Sequence, residues 1–244
     1  MSEIEARSMN QVARIAGLLY LVVVLTGIFS LIYVPSQTFV QGDALATVNN
    51  IAASVPLFRL GIASGLICYT VFLLLPFVLY RLLSPVSKSI AILMVALAVV
   101  SVPIFFATVL NKLNVLSLLS GANYSRAFTI EQLHAQVMLS LDAYGNGILV
   151  SEIFWGLWLF PFGYLVFKSG FLPKVLGVLL MVGCFGYLID SFGGILFSGY
   201  SNSAISNYAT LPAGLGEIGT CLWLLIGGVR ESKSPAVAAH GNAA

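Results

Sequence analysis

Three of the nine acidic side chains, Glu152, Asp190 and Glu217, stand inside long apolar runs. An ionised group in hydrocarbon costs at least ~2.5–3.5 kcal/mol at a helix centre, so each calls for a proton, a hydrogen-bond donor or a cation. Glu152 is six residues beyond Asn146, Asp190 seven before Phe197, and Glu217 eight beyond Ala209, each counted from the end of its run on one side. At about 1.5 Å per residue, all three lie roughly 9–12 Å below one surface, at a single level. Arg59 opens another run on that side and is the only base close to the layer. One arginine can pair one or two carboxylates, and the surplus must be protonated, hydrated or bound to a cation. Arg59, Glu152, Asp190 and Glu217 are therefore candidate ligands for a proton, cation or small polar solute. The same groups also suit a purely structural role, hydrogen-bonding neighbouring helices and holding them in register.

Helical spacing turns the acids toward other helices. Gly145, Glu152, Gly156 and Gly163 share one face; Gly183, Gly186, Asp190 and Gly194 a second; Ala213, Glu217, Cys221 and Gly228 a third. Small residues beside a polar group are what close helix packing in a bilayer prefers.

The remaining chemistry is sparse. His134 and His240 are isolated and form no metal-ligand pattern, and Cys68, Cys184 and Cys221 lie in apolar runs without Cys-x-x-Cys spacing. No phosphate loop, zinc helix or nucleophile elbow is present, so no catalytic residue, cofactor or metal is assigned. An intramembrane enzyme ranks third, behind a solute-binding or transporting protein and a structural or regulatory membrane partner. A net charge of +2, from 11 basic and 9 acidic side chains, is too weak for a nucleic-acid face. The sequence names no protein partner.

The elements that position these residues follow from composition. With 59% of its residues hydrophobic and 8% charged, the chain cannot cover itself with a hydrated surface, and its partner is the lipid bilayer. A window of ~20 apolar residues finds six spans, near Ile15–Tyr33, Leu57–Tyr80, Ser89–Leu110, Asn146–Phe167, Val175–Phe197 and Ala209–Val229. The runs lack the alternation of a membrane barrel, so the fold class is all-α, a polytopic bundle of transmembrane helices. Pro76, Pro103 and Pro161 imply local kinks. The first run lacks a cleavage signal and is too long for a signal-peptide core, so it is expected to be retained.

Lysine and arginine set the orientation. With both termini inside, Arg7, Arg14, Arg81, Lys88, Lys168, Lys174, Arg230 and Lys233 are cytoplasmic, against Arg59, Lys112 and Arg126 outside. The expected organisation is a cytoplasmic tail over 1–14, a membrane domain over 15–229 and a disordered cytoplasmic tail over 230–244.

The two inner hairpins carry turn signals at Ser84-Pro85 and at Ser169-Gly170 with Pro173, and their loosely shared pattern does not amount to a repeat. Outside, Asp43 can cap a short helix over Ala44–Ala53, and Thr129-Ile-Glu-Gln132 has capping-box spacing. Both predict short amphipathic segments on the outer membrane surface. Asn111, Lys112 and Asn114 read as interfacial, Asn123-Tyr-Ser125 matches a glycosylation acceptor, and Tyr20, Tyr80, Trp155, Trp158 and Trp223 read as belt or packing aromatics.

The stretch from Gly156-Leu157 through Gly163-Tyr-Leu165, Ser169-Gly170, Leu172-Pro173, Leu176-Gly177 and Gly186-Tyr-Leu-Ile-Asp-Ser191 resembles the bacterial membrane family called domain of unknown function 4386. Arg14-Ile-Ala-Gly-Leu-Leu-Tyr20, Phe58-Arg-Leu-Gly61, Gly216-Glu217 and Cys221-Leu-Trp-Leu224 are similar to it as well, so the resemblance runs from about Arg14 to Val229. It implies an inner-membrane location and carries no activity with it. Arg59, Asp190 and Glu217 match the family pattern. Trp158 stands where members often have a histidine, and Gly65 where they often have an acid.

Overall fold

A computed structural model of the chain describes residues 3–121 and 127–229. Arg126, Arg230, Lys233, His240, the Asn123-Tyr124-Ser125 tripeptide and the expected tail over 230–244 lie outside the described residues. The elements are helical, with no strand among the described residues: α1 (Glu3–Ile28), α2 (Val34–Thr38), α3 (Ala44–Ala53), α4 (Val55–Leu83), α5 (Lys88–Leu119), α6 (Ile130–Ser169), α7 (Lys174–Leu196), α8 (Ala204–Tyr208) and α9 (Leu211–Leu222). Six helical stretches are long and apolar enough to cross a membrane: Ser8–Thr38, Val55–Leu83, Lys88–Leu119, Ile130–Ser169, Lys174–Leu196 and Ala204–Gly227.

The stretches outrun the ~20 residues a bilayer needs. The largest excess is in α6, whose 40 residues span about 60 Å. Its start carries the expected capping box, with Gln132 N–H donating to Thr129 Oγ1 at 3.3 Å and Thr129 N–H to Gln132 Oε1 at 2.9 Å. The segment expected to lie apart from the fourth span is instead the first half of that same helix. No turn interrupts Gly145-Asn146-Gly147, because α5 continues alongside and a Cβ at Gly147 would meet the Thr108 side chain. Asp43 caps α3 through a 2.8 Å bond from Ala46 N–H, and α3 packs on α6 with Thr47, Val48 and Ile51 buried.

The spans pack in chain order into a closed ring: α1 on α4, α4 on α5, α5 on α6, α6 on α7, α7 on α9, and α9 back on α1. The α4–α5 turn at Pro85 and the α6–α7 turn at Gly170 lie at one end; Gly170 ends α6 at φ 73°, a conformation that favours glycine. Leu18, Leu74, Phe77, Val175 and Ile226 stand exposed, as side chains facing lipid do.

Two π-helical turns bend the outermost partners of the ring. Pro35 has no N–H to continue the ladder, and just before it Val34 N–H reaches back five residues to Phe29 carbonyl. At the other end of the chain Gly228 N–H reaches Trp223 carbonyl at 3.0 Å, and Val229 N–H donates to Asn10 Oδ1 at 2.7 Å, fastening α9 to α1.

Candidate functional site

The ring encloses a cavity of about 410 Å³, lined by side chains of α1, α4, α6, α7 and α9. It lies beyond the stretch over which the first and last of the described spans meet, from Gly17 to Tyr20 on α1. Near Asn10 they are so close that a Cβ on Gly17 would fall 2.8 Å from Leu225 N, and Cys221 Sγ donates to Gly17 carbonyl at 3.6 Å. Further along α9, Gly214 lines the cavity and has nothing within 4 Å of where its Cβ would stand.

Glu217, Glu152 and Asp190 all line this space, from three different helices. Glu217 is half-buried and accepts two phenol hydrogen bonds, one on each oxygen: Tyr20 Oη at 3.0 Å from Oε1 and Tyr187 Oη at 3.4 Å from Oε2. The three groups join α1, α7 and α9 at a single carboxyl. Tyr20 is held by Trp158 and Phe162, with ring centroids 6.5 Å away in both cases.

Glu152 is buried, 9% exposed, and its Oε2 has no hydrogen-bond partner among the described residues. The indole N–H of Trp155, also on the cavity wall, is likewise buried without a partner. An acceptor and a donor that folding leaves unsatisfied in one cavity are places where a ligand or water completes the bonding. Asp190 is half-buried and lines the same cavity as Glu152. Beyond the end of α7, burial and the carboxyl of Asp190 push the Tyr200 phenol up to about 12.

Arg59 is not among these groups. It is exposed on the first turns of α4, does not line the cavity, and makes no ion pair among the described residues. The arrangement therefore joins Glu152, Asp190 and Glu217 and leaves the arginine outside. Among the described residues, no lysine or arginine lines the cavity.

The buried cation is Lys112, 6% exposed, whose Nζ stands 4.0 Å from the centroid of Tyr144 and 6.0 Å from that of Phe58. A third span ending at Leu110 puts this lysine at the interface, but the helix runs on to Leu119. Continuing the helical period would have exposed the pattern, since Phe105, Thr108, Val109, Lys112 and Val115 form one buried face.

The sequence reads Tyr20, Trp155 and Trp158 as belt or packing aromatics and does not single out Tyr69, Phe72 or Tyr187. Tyr20, Tyr69, Phe72, Trp155, Trp158 and Tyr187 all line the cavity. Tyr69 stacks on Phe105 at 3.6 Å, Trp155 meets Tyr187 edge-on at 6.0 Å, and Phe72 meets Trp158 edge-on at 5.2 Å. One signal was available: a phenol in mid-span needs a polar partner, and Tyr187 precedes Asp190 by one turn. Among the described residues, no group of three or more His, Cys, Asp or Glu is placed to hold a metal ion.

A protein of Archaeoglobus fulgidus described as an uncharacterized protein is 34% identical over 155 residues, covering 64% of this chain and 75% of that protein. No solved structure gives a significant match. The family model described as Domain of unknown function (DUF4386) matches residues 15–228, a stretch that contains every cavity residue from Tyr20 to Ile218, and the chain belongs to that family.

Proposed function

We propose that this protein binds a proton, cation or small polar solute in the acid-lined cavity and passes it across the membrane. The reading places it in a cell membrane of the bacterial inner-membrane type, with both termini cytoplasmic and the cavity facing outward. One observation carries it: three carboxyls from three helices line one cavity that no lysine or arginine among the described residues lines, and one of their oxygens is buried without a partner. Negative charge gathered in a low-dielectric space attracts cations more strongly than it would in water.

Reconstituted vesicles loaded with a pH- or cation-sensitive dye test it. The native protein is expected to pass protons or a cation, and the triple change Glu152→Gln, Asp190→Asn, Glu217→Gln to slow flux at least tenfold while circular dichroism stays unchanged. Equal flux from both proteins would overturn the reading. For the orientation, Ser84→Cys should escape an impermeant maleimide in intact cells and Ser198→Cys should react; the reverse pattern would invert the topology.

A second reading applies to Glu217 alone. Its two phenol partners tie three helices together, which is the arrangement of a structural pin. Under that reading Glu217→Gln lowers thermal stability and leaves flux intact, whereas Glu152→Gln does the opposite.

A further inference from the structure

Taking the cavity as a ligand site, we infer that its ligand is an organic ammonium cation with apolar substituents, which enters sideways from the bilayer between α1 and α9. Three independent features favour this over an alkali or divalent metal ion.

The first is the wall. Tyr20, Tyr69, Phe72, Trp155, Trp158 and Tyr187 surround the carboxyls with aromatic surface. Ring faces attract a cation whose charge is spread over methyl or alkyl groups, and enclosures of this composition suit quaternary ammonium groups. A metal ion would have to exchange its water for several oxygen ligands at once, and although the three carboxyls share the cavity, no three such groups among the described residues stand close enough together to hold one.

Size is the second. About 410 Å³ falls within the ~300–1,000 Å³ of small-molecule sites. A bare cation would leave most of that volume to be filled by water, each molecule of which occupies roughly 30 Å³.

The third is the mouth. Ile28 at the end of α1, Ile32 in the π-helical turn that follows it and Ile218 on α9 line the cavity and are also 44%, 64% and 41% exposed. Where α1 and α9 part, the rim is therefore apolar and turned toward lipid. A hydrated ion is repelled by such a rim, whereas an amphiphilic cation concentrated at the membrane surface passes it. Inside, Glu152 Oε2 is an unpaired acceptor for the charge.

The test uses the full chain in lipid nanodiscs and radiolabelled benzyltrimethylammonium. Saturable binding is expected. It should not be displaced by sodium, potassium or magnesium at matched ionic strength, nor by the uncharged carbon isostere neopentylbenzene. Glu152→Gln should weaken binding at least tenfold. Gly214→Phe, whose side chain would grow into open space, should abolish it without lowering the melting temperature.

Absence of saturable binding, displacement by an inorganic cation, or equal competition by neopentylbenzene would overturn the inference. So would full binding in a folded Gly214→Phe protein. If acid-dependent proton or alkali-cation flux persists while benzyltrimethylammonium fails to bind, the ligand class is wrong and the proposed function stands. If flux is also independent of the acids, both fall.

Discussion

The α6–α7 seam and the α1–α9 seam are built from similar residues and end in opposite states. Between α6 and α7, Gly163 and Gly177 face each other, and a Cβ on either would stand 2.6 Å from the other's carbonyl oxygen. Backbone meets backbone, and the seam closes. Between α1 and α9 the same approach occurs once, at Gly17 and Leu225, and then lapses; Gly214 faces empty space. A small residue thus closes a membrane helix pair only where the partner presents backbone opposite it. Where nothing stands opposite, it leaves a hole, and here aromatic rings and acids surround that hole.

The largest effect should come from filling the closed seam. Gly163→Leu forces its side chain into Gly177 and Met181, and overpacking of this kind costs about 3 kcal/mol or more. A melting temperature lower by roughly 10 °C in detergent is expected. An unchanged melt would show that α6 and α7 are not held by this contact.

Next comes the pin between the two seams. Tyr20→Phe removes the 3.0 Å donor to Glu217. A buried acceptor deprived of its partner costs about 1–3 kcal/mol, which predicts a melt lower by roughly 3–8 °C. Tyr187→Phe removes the 3.4 Å bond and should cost less. The reverse ranking would mean that Tyr187 is the main donor.

Filling the open seam should barely register as destabilisation. A Cβ at position 214 would meet no atom within 4 Å, and Gly214→Leu gains up to about 0.8 kcal/mol of helix propensity. An equal or slightly higher melting temperature is expected, and a fall like that of Gly163→Leu would erase the contrast between the seams. Smallest of all is Arg59→Gln, which removes an exposed charge without an ion-pair partner among the described residues. Its melt should stay within about 0.5 kcal/mol of the native protein.

What the sequence disclosed follows from which interactions are local. Spans, tight turns and the caps at Asp43 and Thr129 depend on residues within a few positions of each other, and they were legible. The continuity of α6 was not. Gly145-Asn146-Gly147 looks like a break in isolation, and only α5 running beside it makes helix the better state. The acids were legible as a layer because charge in hydrocarbon is costly at any position along a span. Arg59 shares only their depth, and depth does not specify which way a side chain on α4 points; it is exposed and does not line the cavity. The aromatic wall was hidden for a different reason. Tyrosine and tryptophan suit a core, a belt and a binding site equally well, and only the gap between α1 and α9 distinguishes these uses.

The bond from Val229 to Asn10, together with Tyr20 meeting Glu217, makes the first and last of the described spans neighbours. A ribosome delivers the chain from its beginning, so α1 reaches the membrane while α9 is still unmade. Throughout that interval the Tyr20 hydroxyl has no carboxylate to donate to, and the enclosure has one side missing. Assembly of the pocket therefore waits for α9, and a polypeptide stopped short of residue 217 would have inserted the preceding spans with one wall of the cavity missing.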